Sequence, residues 1–341
     1  MTARPALRTR TIDRGAVEVT VIGYGGAPIG NIFRAISAAD AQAQIDAAWD
    51  AGIRSFDTAP MYGHGLSEHR LGHALLEHDR QDYVLSTKVG RTLIPSPRGT
   101  FDSGVWVDVP PLRAEFDYSY DAVLRQVEDS LQRMCQDRFD MLFVHDIDRY
   151  THGDDQPRRF QEALDGAFPA LIRLRDEGLV KAIGVGVNEA DVCEKVVQQV
   201  DVDVLLLAGR YTLLEQGPAA DLLSLCTERK ISVVLGGVFN SGILATGPVA
   251  GAKFNYAPAP PEILDRTTQL AALCRDHDVP LPAAAIQFAM AHPAVKQAIL
   301  GARTVEQQNQ NLAWLDTPIP PQFWIDAQQR GLIDDDAPTP R

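Results

Sequence analysis

Phe56-Asp57-Thr58-Ala59-Pro60-Met61-Tyr62-Gly63 carries a short apolar run to an acid, then turns at Pro60 and Gly63 with a tyrosine between them. An apolar run bounded by turn residues reads as a buried strand followed by a loop. Two later stretches repeat the pattern with other polar endings: Tyr83-Val84-Leu85-Ser86-Thr87-Lys88 and Asp140-Met141-Leu142-Phe143-Val144-His145. Working outward, strands are also predicted at Val21–Tyr24, Ala182–Val187, Val204–Ala208, Ile231–Leu235 and Ala298–Leu300. Upstream, Thr9–Thr20 alternates about Asp13-Arg14-Gly15 and reads as a hairpin. Helices are predicted over 39–51, 67–77, 120–135, 160–177, 189–199, 219–228, 261–277 and 281–291, where apolar residues recur at helical spacing, as with Val123, Val127, Leu131 and Met134. Eight strands alternating with helices predict an α/β fold of the (β/α)8 TIM barrel type, with an N-terminal β-hairpin and long loops at the C-terminal face. No Gly-x-Gly-x-x-Gly turn joins an early strand to a helix, which argues against a doubly wound dinucleotide fold.

Composition sets the frame. The chain has 341 residues, is 45% hydrophobic and carries a net charge of −13. That length suits one barrel domain over 1–341, with loosely ordered stretches expected at 1–8 and 331–341. The acidic balance and the lack of a basic tract argue against nucleic acid. Met1–Arg10 holds three arginines and no apolar segment, unlike a secretory signal, and the apolar run Val202–Ala208 is too short to span a bilayer. Cys135, Cys193, Cys226 and Cys274 are widely spaced and fit buried, reduced thiols in a cytoplasmic protein. Oligomeric state leaves no trace in the sequence.

In a barrel, active sites gather at the C-terminal ends of the strands, and Asp57, Lys88 and His145 all end strands there, with Tyr62 in the following loop. These four side chains form a proton-transfer set without a metal. A tyrosine with an ordinary pKa of about 10 exchanges protons poorly near neutrality, and a neighbouring Lys88 ammonium would favour its phenolate. Asp57 would hold that ammonium in place, and His145 would orient a substrate oxygen by a hydrogen bond. Oxidation or reduction of an alcohol/carbonyl pair follows. Three rivals stay open. Histidines 64, 69, 73 and 78 with Asp57 could bind zinc in a hydrolase. Lys88 could be a Schiff-base nucleophile. A nucleotide-binding barrel could serve as a non-catalytic redox-sensing subunit.

Asp57, Tyr62, Lys88 and His145 match, in order and strand context, the catalytic tetrad of the aldo-keto reductases, and the chain resembles that family from the hairpin to about Trp314. The resemblance implies an NAD(P)-dependent oxidoreductase. It gives Asn188, in Gly186-Val187-Asn188, the nicotinamide carboxamide; it gives Gly237, Val238, Ser241 and Gly242 the pyrophosphate; and it gives Gly301, Arg303, Gln307 and Asn311 the cofactor clamp. Barrel phosphate sites after strands seven and eight agree with this placement. The aromatic that stacks on nicotinamide in the family is replaced by Gly236, so the resemblance implies either a different nicotinamide packing or another ring such as Phe239 there. Clamp positions that are cationic in NADP-preferring members hold Gly301 and Gln307, leaving Arg303 as the nearby cation. NAD is therefore the expected cofactor, with NADP possible.

The insertion Val89–Tyr120, with Trp106, Pro110-Pro111 and Phe116-Asp117-Tyr118-Ser119-Tyr120, resembles the branch of D-threo-aldose (L-fucose) 1-dehydrogenases and pyridoxal 4-dehydrogenases. The branch implies oxidation of a cyclic hemiacetal hydroxyl to a lactone, on a small sugar or on pyridoxal. Trp106 would close over a ring, and Arg149, Tyr150 or Arg210 would bind hydroxyls.

Overall fold

The computed structural model describes residues 7–340. The expectations for 1–6 and 341, including the reading of the first residues as no secretory signal, lie outside that range. The chain opens with an antiparallel hairpin, β1 (Thr9–Ile12) and β2 (Val17–Thr20). Next come β3 (Ile22–Gly25), β4 (Ser55–Asp57), β5 (Val84–Val89), a second hairpin of β6 (Arg91–Pro95) and β7 (Leu112–Phe116), and β8 (Met141–His145). The rest are β9 (Ala182–Val187), β10 (Val204–Ala208), β11 (Ser232–Gly236), a small hairpin of β12 (Lys253–Phe254) and β13 (Ala257–Pro258), and β14 (Val295–Leu300). β3, β4, β5, β8, β9, β10, β11 and β14 pair in parallel in that order, and β14 closes on β3, with Ala298 opposite Ile22. The barrel is as the sequence predicts.

The first hairpin stoppers the N-terminal end. Ile12, Val17 and Val19 are buried against Met141, Phe143, Val204, Leu206 and Val234 from the strand interiors. Outward-facing strand residues pack on the helices; Val123 and Met134 of the helix Tyr120–Met134 are buried there, at the spacing the sequence shows.

Several boundaries differ for local reasons. The predicted helix 160–177 is broken into Gln156–Glu162, a π-turn at Ala163–Ala167 and Phe168–Asp176. Pro169 has no N–H to give the carbonyl one turn back, so the ladder slips there. The insertion after Lys88 holds the β6–β7 hairpin, and two further helices, Val305–Leu315 and Pro321–Gln329, follow β14. The loosely ordered stretch expected at 331–341 begins in the core: Leu332 and Ile333 are buried, and Arg266 donates to the Leu332 carbonyl at 2.8 Å. Cys193, Cys226 and Cys274 are buried, but Cys135 is exposed, because it caps a helix in the left-handed conformation. Among the described residues no helix is long and apolar enough to cross a membrane.

Candidate active site

At the C-terminal end of the barrel, the Lys88 ammonium donates to Asp57 Oδ2 at 2.7 Å and to the Thr58 carbonyl at 2.8 Å. Ser86, opposite Asp57 in the β4–β5 register, donates to the other carboxylate oxygen at 2.8 Å. Lys88 and Asp57 are almost wholly buried. Burial alone would pull the lysine's pKa down, but Asp57 and Tyr62 outweigh it, so the group is held above its ordinary value and stays an ammonium. Its Nζ lies 4.5 Å from the Tyr62 ring centroid.

Tyr62 is set by two glycines back to back. A Cβ on Gly63, which has φ +65°, would lie 2.2 Å from the Gly30 carbonyl oxygen, and a Cβ on Gly30 would meet the Tyr62 carbonyl at 2.7–2.8 Å. The tyrosine loop thus seats directly on the turn after β3. The ring then stands edge-on to His145, with centroids 5.9 Å apart, and beside Trp106 at 5.6 Å. The phenol does not behave as the sequence argument expects. Lys88 does pull its pKa down, but burial acts more strongly, and the net direction is upward from 10. Tyr62 is therefore held as the neutral phenol.

His145 ends β8 beside Arg91, whose NH1 lies 3.2 Å from Nδ1. Burial first, then Arg91 and Lys88, push the imidazole well below 6.5, so it is neutral. Arg91 also pairs with Asp146 Oδ2 at 2.7 Å and lies over the Phe116 ring at 4.3 Å. Neither Arg91 nor Asp146 stands out in the sequence. The one signal that could have found them is the alternation of Leu112–Phe116, which pairs with Arg91–Pro95 and swings Arg91 back over the barrel mouth.

These groups surround a cavity of ≈ 310 Å³. One wall is polar, with Arg91, Asp146, Thr151 and Asn188; the other is apolar, with Ile32, Val105, Trp106 and Leu206. Tyr150 and Tyr256 stand at the rim with their rings 6.3 Å apart. Of the arginines expected to meet substrate, neither lines this space. Arg149 points outward to Asp154 at 2.8 Å, and Arg210 is held by Glu215 and Asn255. The histidines of the zinc reading do not converge: His64 meets the Leu112 carbonyl and His78 stacks on Trp49.

A profile of the aldo/keto reductase family matches residues 21–329. The chain belongs to that family. It is 43% identical to pyridoxal 4-dehydrogenase of Microbacterium luteolum over 339 residues, covering 96% of this chain and 98% of the relative. It is 42% identical to D-threo-aldose 1-dehydrogenase of a Pseudomonas species over 330 residues, covering 95% and 96%. The fold is similar to that of an aldo-keto reductase from Bacillus halodurans in its holo form, with a TM-score of 0.73 at 24% identity, over 95% of this chain and 96% of that one. This aldo-keto reductase is an oxidoreductase acting on CH–OH groups with a nicotinamide dinucleotide.

The residues expected to hold the dinucleotide fit it. Asn188 lines the cavity floor beside Gly186, Leu206 and Ala208. Gly236 ends β11 beside these residues, where a Cβ would lie 3.6 Å from both Ala208 and Leu206. Gly242 has φ +102°, a conformation that favours glycine, and no atom lies within 4 Å of where its Cβ would be. Ser241 Oγ accepts from the Tyr256 amide at 2.9 Å, and Val238 is buried beneath. After β14, Gly301 packs on Pro28, Asn311 is buried, and Gln307 Oε1 accepts from the Arg303 amide at 2.9 Å, so that side chain helps cap the helix. Two expectations are corrected. Phe239 packs edge-on against Trp314, centroids 6.1 Å apart, and the aromatic from this loop that lines the cavity is Tyr256. Asn255 and Tyr256 both have positive φ, the two-residue turn that closes β12 on β13 and aims the ring inward. Arg303 also has company: its Cζ lies 5.9 Å from the Phe33 ring centroid and Lys253 Nζ lies 4.3 Å from it.

Proposed function

We propose that this aldo-keto reductase oxidises the C1 hemiacetal hydroxyl of an aldose of the L-fucose, D-arabinose or L-galactose type to a lactone, with NAD preferred and NADP used less well. The two-faced cavity carries the reading. A pyranose has an apolar C–H face, which suits Trp106, and ring hydroxyls, which suit the Arg91–Asp146 pair and Thr151. At ≈ 310 Å³ the space suits a small ring rather than a long chain. The relative named D-threo-aldose 1-dehydrogenase supports the same chemistry.

In this reading Tyr62 is the acid–base group, and His145 Nε2 and the tyrosine together grip the substrate oxygen. Asn188, at the cavity wall, would hold the nicotinamide dinucleotide, which would supply the hydride acceptor in oxidation and the hydride donor in reduction. In oxidation Tyr62 takes the hydroxyl proton as hydride leaves C1; in reduction the phenol gives it back. Lys88, kept charged by Asp57, eases the approach to phenolate. The same charge makes Lys88 a poor Schiff-base nucleophile, which counts against the lyase reading.

Pyridoxal is the second reading, favoured by the relative at 43% identity; its hemiacetal would give 4-pyridoxolactone through the same four residues. Absorbance of reduced nicotinamide separates the two. The aldose reading expects fast reduction of NAD with L-fucose, D-arabinose or L-galactose. Turnover with pyridoxal alone would replace it, and reductase activity confined to simple aldehydes would sink both.

A further inference from the structure

Arg91 lies close to the reacting centre yet is none of the four groups that move protons. We infer that Arg91 is a positioning residue: it holds His145 as the tautomer whose Nε2–H faces the cavity, so the donor to the substrate oxygen is set before substrate arrives. This rests on the reading of His145 as that donor.

A guanidinium offers only donors. With Arg91 NH1 3.2 Å from Nδ1, that nitrogen must accept, which leaves the ring's one proton on Nε2. Nε2 is 3.5 Å from Asp146 Oδ1, beyond hydrogen-bond range, so the proton remains free for a substrate oxygen. The groups facing the ring are Arg91 from β6, Lys88 from β5, Tyr62 from the loop after β4 and Asp146 beside it. Two of these are cations, and both oppose a protonated ring.

Arg91 is itself fixed. Its second nitrogen pairs with Asp146 at 2.7 Å, its plane lies on Phe116, and it is buried. Asp146 adopts φ +53°, unusual for a residue with a side chain. The backbone is held in that conformation from behind. The Tyr118 hydroxyl lies 2.9 and 2.8 Å from the His145 and Asp146 carbonyl oxygens, and His152 Nε2 lies 2.8 Å from the latter. A strained residue tied this firmly is the pattern seen where geometry serves a site. The insertion, whose β6–β7 hairpin carries Arg91, therefore reaches the chemistry through the acceptor nitrogen of His145 as well as through the cavity wall.

The test is a long-range ¹H–¹⁵N correlation spectrum of the NAD-bound enzyme labelled with ¹⁵N-histidine, with His145 assigned by its loss in H145Q. Wild type is expected to show a bare Nδ1 and a protonated Nε2, unchanged as pH is lowered through 6.5. In R91M the ring is expected to become a tautomer mixture, and kcat to fall roughly 10- to 100-fold. R91K keeps the charge beside Asp146 but offers a single point of contact; the same spectral change there separates tautomer control from loss of the ion pair, should R91M fold poorly. A His145 spectrum identical to wild type in folded R91M and R91K would overturn the inference. Full turnover in H145Q would instead remove the donor reading of His145, and the positioning role with it, whatever the spectra show.

Discussion

The two ends of the barrel both bury carboxylates against cations, but in opposite ways. At the N-terminal end, Asp140 precedes β8 and accepts from the Leu85 amide at 3.0 Å, from Arg80 at 2.8 Å and from Lys181 at 3.0 Å. Asp203, preceding β10, repeats the device: it accepts from the Ile183 amide at 3.0 Å and from Arg175 at 3.0 Å. Each carboxylate ties the start of its own strand to a neighbour's amide, and its oxygens are used up in doing so. At the C-terminal end Asp57 and Asp146 hold Lys88 and Arg91, and each cation turns its remaining reach toward Tyr62 or His145. One kind of ion pair therefore serves as a strand tie at one end and as a holder of reactive groups at the other. What separates them is where the cation's spare capacity points.

The sharpest way to break this contrast is to remove the proton carrier and leave the packing. Y62F is expected to lose about 10²- to 10⁴-fold in kcat, while cofactor binding, followed by protein fluorescence, and the melting temperature stay near wild type. Retained turnover would mean that the C-terminal end does not work through Tyr62. At the other end D140N leaves the strand tie with one fewer charge. It is expected to cost about 3 kcal/mol of unfolding free energy by urea titration, with kcat unchanged at temperatures where the variant is folded. A catalytic loss in D140N at unchanged stability would show that the two ends are not separable.

How much of this was legible beforehand follows the same division. Strand ends are readable because apolar runs stop abruptly: Ser55–Asp57, Met141–His145, Ala182–Val187 and Val204–Ala208 fall where the sequence places them. Asp57, Tyr62, Lys88 and His145 come into view for the same reason, as polar punctuation. Arg91 and Asp146 do not, because nothing local marks them; their meeting depends on a hairpin closing across a 16-residue loop between Pro95 and Leu112. Arg149 and Arg210 lie outside the cavity lining; charge is visible in a sequence and orientation is not. Tyr256 was hidden behind a two-residue turn, Asn255-Tyr256, whose positive φ values decide where the ring goes. The lysine's effect on Tyr62 was anticipated in sign, but burial, which no spacing reveals, outweighs it.

pH sharpens the comparison because the two ends titrate in opposite ranges. Burial works against ionising Asp140, yet Arg80, the Leu85 amide and Lys181 more than offset it, holding the carboxyl below 3.8. A depressed carboxylate stabilises the fold above its ordinary pKa and loses that contribution as pH falls through the lower folded value. Wild type is therefore expected to have an acid limb in melting temperature that is shallower in D140N. In the proposed mechanism oxidation, by contrast, uses Tyr62 as a base, and its pKa is raised above 10. The oxidation rate is expected to climb throughout the alkaline range, and reduction, which uses the phenol, to stay level until pH approaches that value. An oxidation plateau near neutrality in the wild type, absent from Y62F, would show that bound cofactor moves Tyr62 much further than Lys88 does.

The smallest effect is expected where cations meet solvent. Lys253 and Arg303 share the exposed ring of Phe33 and hold no buried carboxylate, so they contribute little to stability. R303A is expected to leave the melting temperature unchanged. It removes a charge that an adenosine 2′-phosphate would meet, so KM for NADP should rise about tenfold, the worth of one charge-assisted contact, and KM for NAD by no more than about threefold. An equal rise for both cofactors would place Arg303 at the pyrophosphate instead. A larger rise in K253A than in R303A would assign the phosphate to the β12–β13 hairpin that also delivers Tyr256 to the cavity, so that one short element would select the cofactor and wall the substrate.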